Sequence, residues 1–134
     1  MLASQIGYFS LILGLLFSIL LCVVSIKDFN NNKLISQNIL SLSFLQLFFV
    51  IISFLSLILS FINSDFSNET VYNNSHTTKP LFYKISGTWG NHEGSLLLWL
   101  LVLTLFIFMF LIKSSDQPKK YRILTLLFQQ IIII

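Results

Sequence analysis

The sequence predicts an all-α integral membrane protein: three transmembrane helices plus the start of a fourth, packed into a larger helical bundle. Of its 134 residues, 55% are hydrophobic and only 10% are charged, and the mean hydropathy is +0.85. A water-soluble globule would need a more polar surface than this composition supplies. Three apolar segments, 6–26, 39–62 and 93–112, are each close to the roughly 20 residues that cross about 30 Å of hydrocarbon. A shorter apolar segment, 121–134, predicts a partial fourth helix, and the whole chain, 1–134, forms one membrane domain.

The first two segments carry small and hydroxyl residues at helical spacing. Such stripes let helix backbones approach closely inside a membrane. We therefore predict helix packing faces, although a polar path through the membrane is the alternative interpretation. The residues assigned to packing are Gly7, Ser10, Gly14 and Ser18 in the first segment, and Ser53, Ser56 and Ser60 in the second.

The distribution of basic residues predicts the orientation of the chain. Lys27 and Lys33 follow the first segment, and Lys113, Lys119, Lys120 and Arg122 follow the third. Because short cytoplasmic or matrix loops are enriched in Lys and Arg, the N-terminus and the 63–91 loop are expected on the outer side. The net charge of +3 follows from this asymmetry and gives no reason to invoke nucleic acid. The single cysteine, Cys22, excludes an intrachain disulfide.

A glycine-punctuated turn leads into the third segment and is the candidate functional site. Gly87, Gly90 and Gly94 would allow backbone conformations closed to other residues, and Glu93 is expected to lie at a helix N-terminus, where negative charge is favoured. With Ser95, these residues form the predicted structural turn. Glu93 is expected to pair with Lys84 or to cap the helix. We predict no catalytic residue and no metal site.

Tryptophan and histidine residues flank this turn. Helical spacing places His92, Ser95, Trp99 and Phe106 on one side of the third segment. Trp89 and Trp99 also suit the interfacial aromatic belt of an ordinary membrane protein. His92 is interpreted as a hydrogen-bonding group, with iron or metal ligation as the alternative.

The middle third of the chain resembles the CcmF haem lyase of cytochrome c maturation. The matching residues are Ser64-Asp65-Phe66-Ser67, Val71-Tyr72-Asn73-Asn74-Ser75, Pro80, Tyr83-Lys84, Trp89-Gly90 and His92-Glu93-Gly94-Ser95-Leu96-Leu97-Leu98-Trp99. Each piece alone is a weak signal, but their order and spacing together are specific. Only the N-terminal portion of the family is matched.

The resemblance implies a role in attaching haem to the thiols of apocytochrome c. Trp89, His92 and Trp99 then form a haem-proximal or partner surface rather than a set of iron ligands. The family's tryptophan-rich outer segment and its pair of intramembrane histidines have no counterpart here. Haem is therefore expected to bind through the assembled complex, and no cofactor is assigned to this chain alone. The chain by itself is not expected to be catalytic.

Two hypotheses follow from the resemblance. The chain is either the N-terminal fragment of a split haem lyase, or a structural accessory subunit of a mitochondrial respiratory membrane complex derived from that family. The expected partners are the remaining fragments of the lyase, other cytochrome c maturation proteins, apocytochrome c and membrane lipid, or else respiratory subunits. The expected location is the mitochondrial inner membrane, with the bacterial plasma membrane as the alternative. A small channel or transporter subunit would carry mid-membrane charges or broken helices, which the sequence lacks.

Overall fold

The computed structural model describes residues 2–29 and 37–134. Over these residues the chain forms six α-helices and no strand. They are α1 (Leu2–Phe29), α2 (Gln37–Ile62), α3 (Glu69–Asn74), α4 (Leu81–Gly87), α5 (His92–Lys113) and α6 (Lys119–Ile133). The bundle has a loop end, which carries 63–91, and an opposite end, which carries the connection between α5 and α6.

Three of these helices, α1, α2 and α5, are long and apolar enough to cross a membrane. The prediction of an all-α membrane fold is confirmed. Both α1 and α2 extend beyond the predicted segments, because a helix continues into the polar flanks wherever its backbone bonds are satisfied. At about 1.5 Å per residue, a helix the length of α1 is longer than the hydrocarbon layer is thick. Lys33, used above to predict orientation, lies outside the described residues.

The small residues of α1 face α2. The buried positions of α1 are Ser10, Gly14, Ser18, Leu21 and Ser25. Across the interface, the Ser53 hydroxyl donates to the Gly7 carbonyl at 3.0 Å, and the Ser56 hydroxyl donates to the Ala3 carbonyl. In an apolar surrounding no water is available to bond a hydroxyl group. These hydroxyls instead donate their hydrogen bonds to the backbone of the neighbouring helix. Of the residues assigned to packing from the sequence, Gly7, Gly14, Ser53 and Ser56 make contacts between α1 and α2, whereas Ser18 bonds Gln130 of α6, and Ser10 and Ser60 are buried and bond their own helices.

The fourth long element, α6, packs on α1 and α5 and closes the opposite end of the bundle. An apolar core lies there, formed by Leu21, Ile39, Ile107, Leu111 and Leu126. Arg122 fastens α6 to the end of α5: its Nε donates to Ser114 Oγ at 2.9 Å and its Nη2 donates to the Leu111 carbonyl at 2.6 Å. A cation at the carbonyl end of a helix satisfies groups that have no partner within the helix.

A polar triad joins three helices in the interior. Gln46 of α2 and Gln130 of α6 exchange two amide hydrogen bonds, both 3.1 Å long. Ser18 of α1 donates a third bond, 2.6 Å long, to Gln130 Oε1. The two glutamines are 1% and 0% exposed. Since buried amides are costly without partners, this triad fixes the position of α6 against α1 and α2.

The 63–91 loop is folded against the bundle. The helices α3 and α4 occupy much of it. Asn68 caps α3 by accepting from the Thr70 N–H at 3.0 Å, and its Nδ2 donates to Ser4 of α1 at 3.4 Å. Val71 is fully buried. The polar side chain of Asn68 thus bonds both the backbone of its own loop and a neighbouring helix.

Candidate functional site: the turn between α4 and α5

Asn91 organises the turn that connects α4 to α5. Its Oδ1 accepts from the Gly94 N–H at 2.7 Å, which makes it the N-cap of α5. Its Nδ2 donates to the carbonyls of Gly87 at 2.8 Å and Thr88 at 3.3 Å. One side-chain amide therefore provides hydrogen-bond partners both for a backbone N–H at the start of α5 and for backbone carbonyls at the end of α4. These bonds fix the angle between the two helices.

One glycine of the turn, Gly94, is needed for space, and none of the three is needed for an unusual backbone conformation. None of Gly87, Gly90 and Gly94 has a positive φ, so the turn does not use the conformational freedom that glycine allows. A Cβ at Gly94 would overlap the carbonyl oxygen of Thr88. A Cβ at Gly87 would meet only the Phe61 ring, at an ordinary 3.5 Å. Gly94 is thus the position where the two helices approach too closely for any side chain.

The aromatic residues of the site face away from the bundle. Trp99 is 68% exposed and Trp89 is 43% exposed. His92 begins α5 and is also exposed, as is Leu96 one turn further along. His92, Leu96 and Trp99 share one face of α5 by helical spacing, and Trp89 lies in the turn that precedes it; we call these four exposed residues the Trp99 face. In a membrane, it meets either lipid or another polypeptide.

Glu93 lies on the other side of α5, at a cavity of about 380 Å³ near the loop end. The cavity is also lined by Gly7, Ser56 and Ser60 from the first two helices and by Glu69 of α3. Lys84, the partner expected for Glu93, instead donates to Ser64 Oγ at 2.6 Å. The capping role expected for Glu93 is filled by Asn91, because the Asn side chain reaches the Gly94 N–H directly. Ser95 donates to the His92 carbonyl at 2.9 Å, within its own helix.

The residues present do not form a complete haem or metal site. Over residues 2–29 and 37–134, no group of three His, Cys, Asp or Glu side chains could hold a metal ion. The two histidines, His76 and His92, are both exposed at the loop end rather than paired inside the bundle. A resident haem is usually held by buried axial ligands. What the arrangement offers is an exposed, partly aromatic surface beside a hydrogen-bonded turn.

Two organising residues were not identified from the sequence. Asn91 has a recognisable signal, since Asn directly before an apolar helical segment is a common N-cap. Gln130 has a weaker one: a polar amide inside the apolar 121–134 segment favours hydrogen bonding across helices. Neither signal identifies the hydrogen-bond partner. Gln46 and Gln130, for example, are 84 residues apart in the chain.

Comparison with known proteins gives a consistent result. The cytochrome c-type biogenesis protein CycK of Bradyrhizobium diazoefficiens is 43% identical over 105 residues, which is 77% of this chain and 16% of that protein. The cytochrome c-type biogenesis protein ccl1 of Rhodobacter capsulatus is 39% identical over 106 residues, or 76% of this chain. The cytochrome c-type biogenesis protein CcmF of Haemophilus influenzae is 42% identical over 69 residues, or 52% of this chain.

This chain is a homologue of part of the CcmF-type cytochrome c biogenesis proteins. It spans about a sixth of the length of the first two of these relatives. No protein-family model matches the chain, and no solved structure matches it. The resemblance found in the sequence is thereby confirmed, and it concerns only a small portion of the CcmF-type proteins.

Proposed function

We propose that this chain is the N-terminal subunit of a split haem lyase and helps to present haem for attachment to apocytochrome c. The observation that carries the proposal is its 43% identity with a cytochrome c-type biogenesis protein over about three quarters of its length. The chain corresponds to 16% of that relative, and in this proposal other polypeptides supply the remaining helices. The chain is not catalytic alone in this proposal.

The Trp99 face is the surface through which the chain contributes. Trp89 and Trp99 provide apolar aromatic area with a polar N–H edge, which suits a flat porphyrin or a partner helix at the membrane boundary. His92 and Glu93 stand at the start of α5, whose position Asn91 and Gly94 fix. Haem is the substrate here, held between this chain and its partners, and its iron receives no ligand from this chain.

The proposed location is the mitochondrial inner membrane, with the loop end in the intermembrane space. Lys27 and Lys113 lie at the ends of α1 and α5 away from the 63–91 loop, as the positive-inside rule requires for this orientation. A cysteine at the exposed Thr77, in a Cys22→Ser background, tests the orientation. We expect an impermeant maleimide to label it from the outer side. Labelling from the matrix side alone would reverse the orientation.

Deletion of the chain tests the function directly. We expect loss of covalently bound haem from all c-type cytochromes, measured by haem staining after denaturing electrophoresis, while apocytochrome c is still made. Re-expression of the wild-type chain should restore the stain. Mass spectrometry of the gently solubilised complex should recover other cytochrome c maturation proteins with the chain.

A different outcome would favour the structural-subunit hypothesis. Normal haem staining after deletion, together with a single defective respiratory complex and co-purification with its subunits, would replace the haem-lyase proposal. The haem-lyase hypothesis makes c-type cytochromes the first products to be lost, whereas the structural-subunit hypothesis makes the respiratory complex the first. Early time points after depletion of the chain therefore separate the two hypotheses.

A further inference from the structure

A second cavity lies at the opposite end of the bundle, where α5 ends and α6 begins. Its volume is about 470 Å³. Phe106, Met109 and Phe110 line its apolar part, and Lys113 and Tyr121 line the rest. The rings of Phe110 and Tyr121 meet edge to face, with centroids 6.3 Å apart, and form one wall. The cavity is thus apolar towards the middle of α5 and polar at its end.

The segment 113–122, which borders the polar end of this cavity, has an excess of positive charge, whereas the lining itself holds one cation, Lys113, and one carboxylate, Asp116. Between residues 113 and 122 the chain has four basic residues, Lys113, Lys119, Lys120 and Arg122, against one acidic residue, Asp116. Asp116 also lines the cavity, so a single carboxylate opposes the cations. Arg122 is committed to the end of α5 by its bonds to Leu111 and Ser114. Lys113, by contrast, is exposed beside the cavity.

The start of α6 adds to this positive potential. Pro118 is its N-cap and supplies no side-chain hydrogen bond. The N-terminal end of a helix carries partial positive charge on backbone N–H groups and favours an anion. Tyr121, in the first turn of α6, lines the cavity. The helix terminus therefore supports the site that the cavity and Lys113 define.

We propose that this cavity binds one anionic phospholipid, with its phosphate beside Lys113 and the start of α6 and an acyl chain along Phe106 and Met109. These two side chains are exposed and lie in the membrane-spanning part of α5. Charge complementarity selects an anionic lipid over a zwitterionic one, since basic pockets at the ends of transmembrane helices attract acidic headgroups. The site is independent of the proposed role in haem attachment.

Native mass spectrometry of the purified full chain tests this site. The chain is equilibrated in mixed micelles that contain phosphatidylglycerol and phosphatidylcholine. We expect one phosphatidylglycerol to be retained in preference to phosphatidylcholine. Lys113→Gln should lower the relative retention of phosphatidylglycerol about five-fold, the effect of roughly one surface cation. Lys27→Gln is the matched control, because it removes the same charge at the same end of the bundle but outside the cavity.

Two further arms separate a lipid site from a simple anion site. Excess inorganic phosphate should leave the retained phosphatidylglycerol in place, and Phe106→Ala should weaken its retention although no charge changes. Equal losses in Lys113→Gln and Lys27→Gln would overturn the proposal. So would complete displacement by inorganic phosphate, or unchanged retention in both Lys113→Gln and Phe106→Ala. Circular dichroism checks that each variant keeps its helices.

Discussion

Gln46 and Gln130 form a reciprocal amide pair in the interior of the bundle, with two hydrogen bonds of 3.1 Å. The pair joins the second helix to the sixth, and Ser18 adds a bond from the first. Both side chains are almost fully buried, so each amide provides the hydrogen-bond partners that water does not supply there. The pair therefore explains how a helix of only 15 residues holds a defined position in the bundle.

Removing both members of the pair should destabilise the fold by less than the sum of the two single removals. Gln46→Leu leaves the Gln130 amide without one of its partners, and we expect a loss of about 1–2 kcal/mol. In the double variant Gln46→Leu/Gln130→Leu, neither amide of the pair is left to lack a partner, and the Ser18 hydroxyl can bond a carbonyl of its own helix. The double loss should thus be smaller than the sum of the two single losses.

Unfolding in bicelles, followed by circular dichroism, measures these effects. Thr125→Val is the control, because the Thr125 hydroxyl bonds only the Tyr121 carbonyl of its own helix. Strictly additive single losses would show that the two amides do not stabilise each other.

Gly94 should tolerate no side chain. In Gly94→Ala the new Cβ would overlap the Thr88 carbonyl oxygen, so either α4 or the start of α5 must move. We expect a loss of more than about 2 kcal/mol, in the range typical of backbone displacement. Limited trypsin digestion at Lys84 provides a local readout and should become faster.

Gly87→Ala is the matched control in the same turn. Its Cβ would make an ordinary contact with Phe61, at 3.5 Å, and the φ angle of Gly87 suits alanine. We expect wild-type digestion and stability. Equal sensitivity of both variants would mean that the turn requires glycine for a reason other than the Thr88 contact.

Replacing Gly14 with a larger residue should disrupt the packing of α1 against α2. A Cβ at Gly14 already lies 3.3 Å from Val50 Cγ2, so Gly14→Leu must push the helices apart. We expect lower accumulation of the chain and of its partners in the membrane, measured by immunoblotting. Leu15→Ala, at a neighbouring exposed position, should leave accumulation unchanged. Normal accumulation of Gly14→Leu would count against this packing face.

The long helices could be predicted from sequence because a run of apolar residues has few alternatives in a membrane. The small-residue stripes of α1 and α2 could also be predicted, because Gly and Ser at helical spacing allow helix backbones to approach closely in a membrane. The role of Gly94 could not be predicted, since its constraint is the Thr88 carbonyl, which only the path of the chain brings near. The pairing of Gln46 with Gln130 likewise depends on which helices are neighbours, and local spacing carries no such information.

The last prediction concerns His92 on the Trp99 face. His92 is exposed, and no described histidine faces it across the bundle, so we expect it to hydrogen-bond haem or a partner rather than to ligate iron. His92→Ala should lower covalent haem attachment to c-type cytochromes several-fold, because a group at the contact surface is lost. The haem absorption spectrum of the purified assembly should keep its wild-type intensity and band positions. His76→Ala, which alters the other exposed histidine of the loop end, should leave attachment unchanged. Loss of a stoichiometric haem signal in His92→Ala would instead identify His92 as an iron ligand.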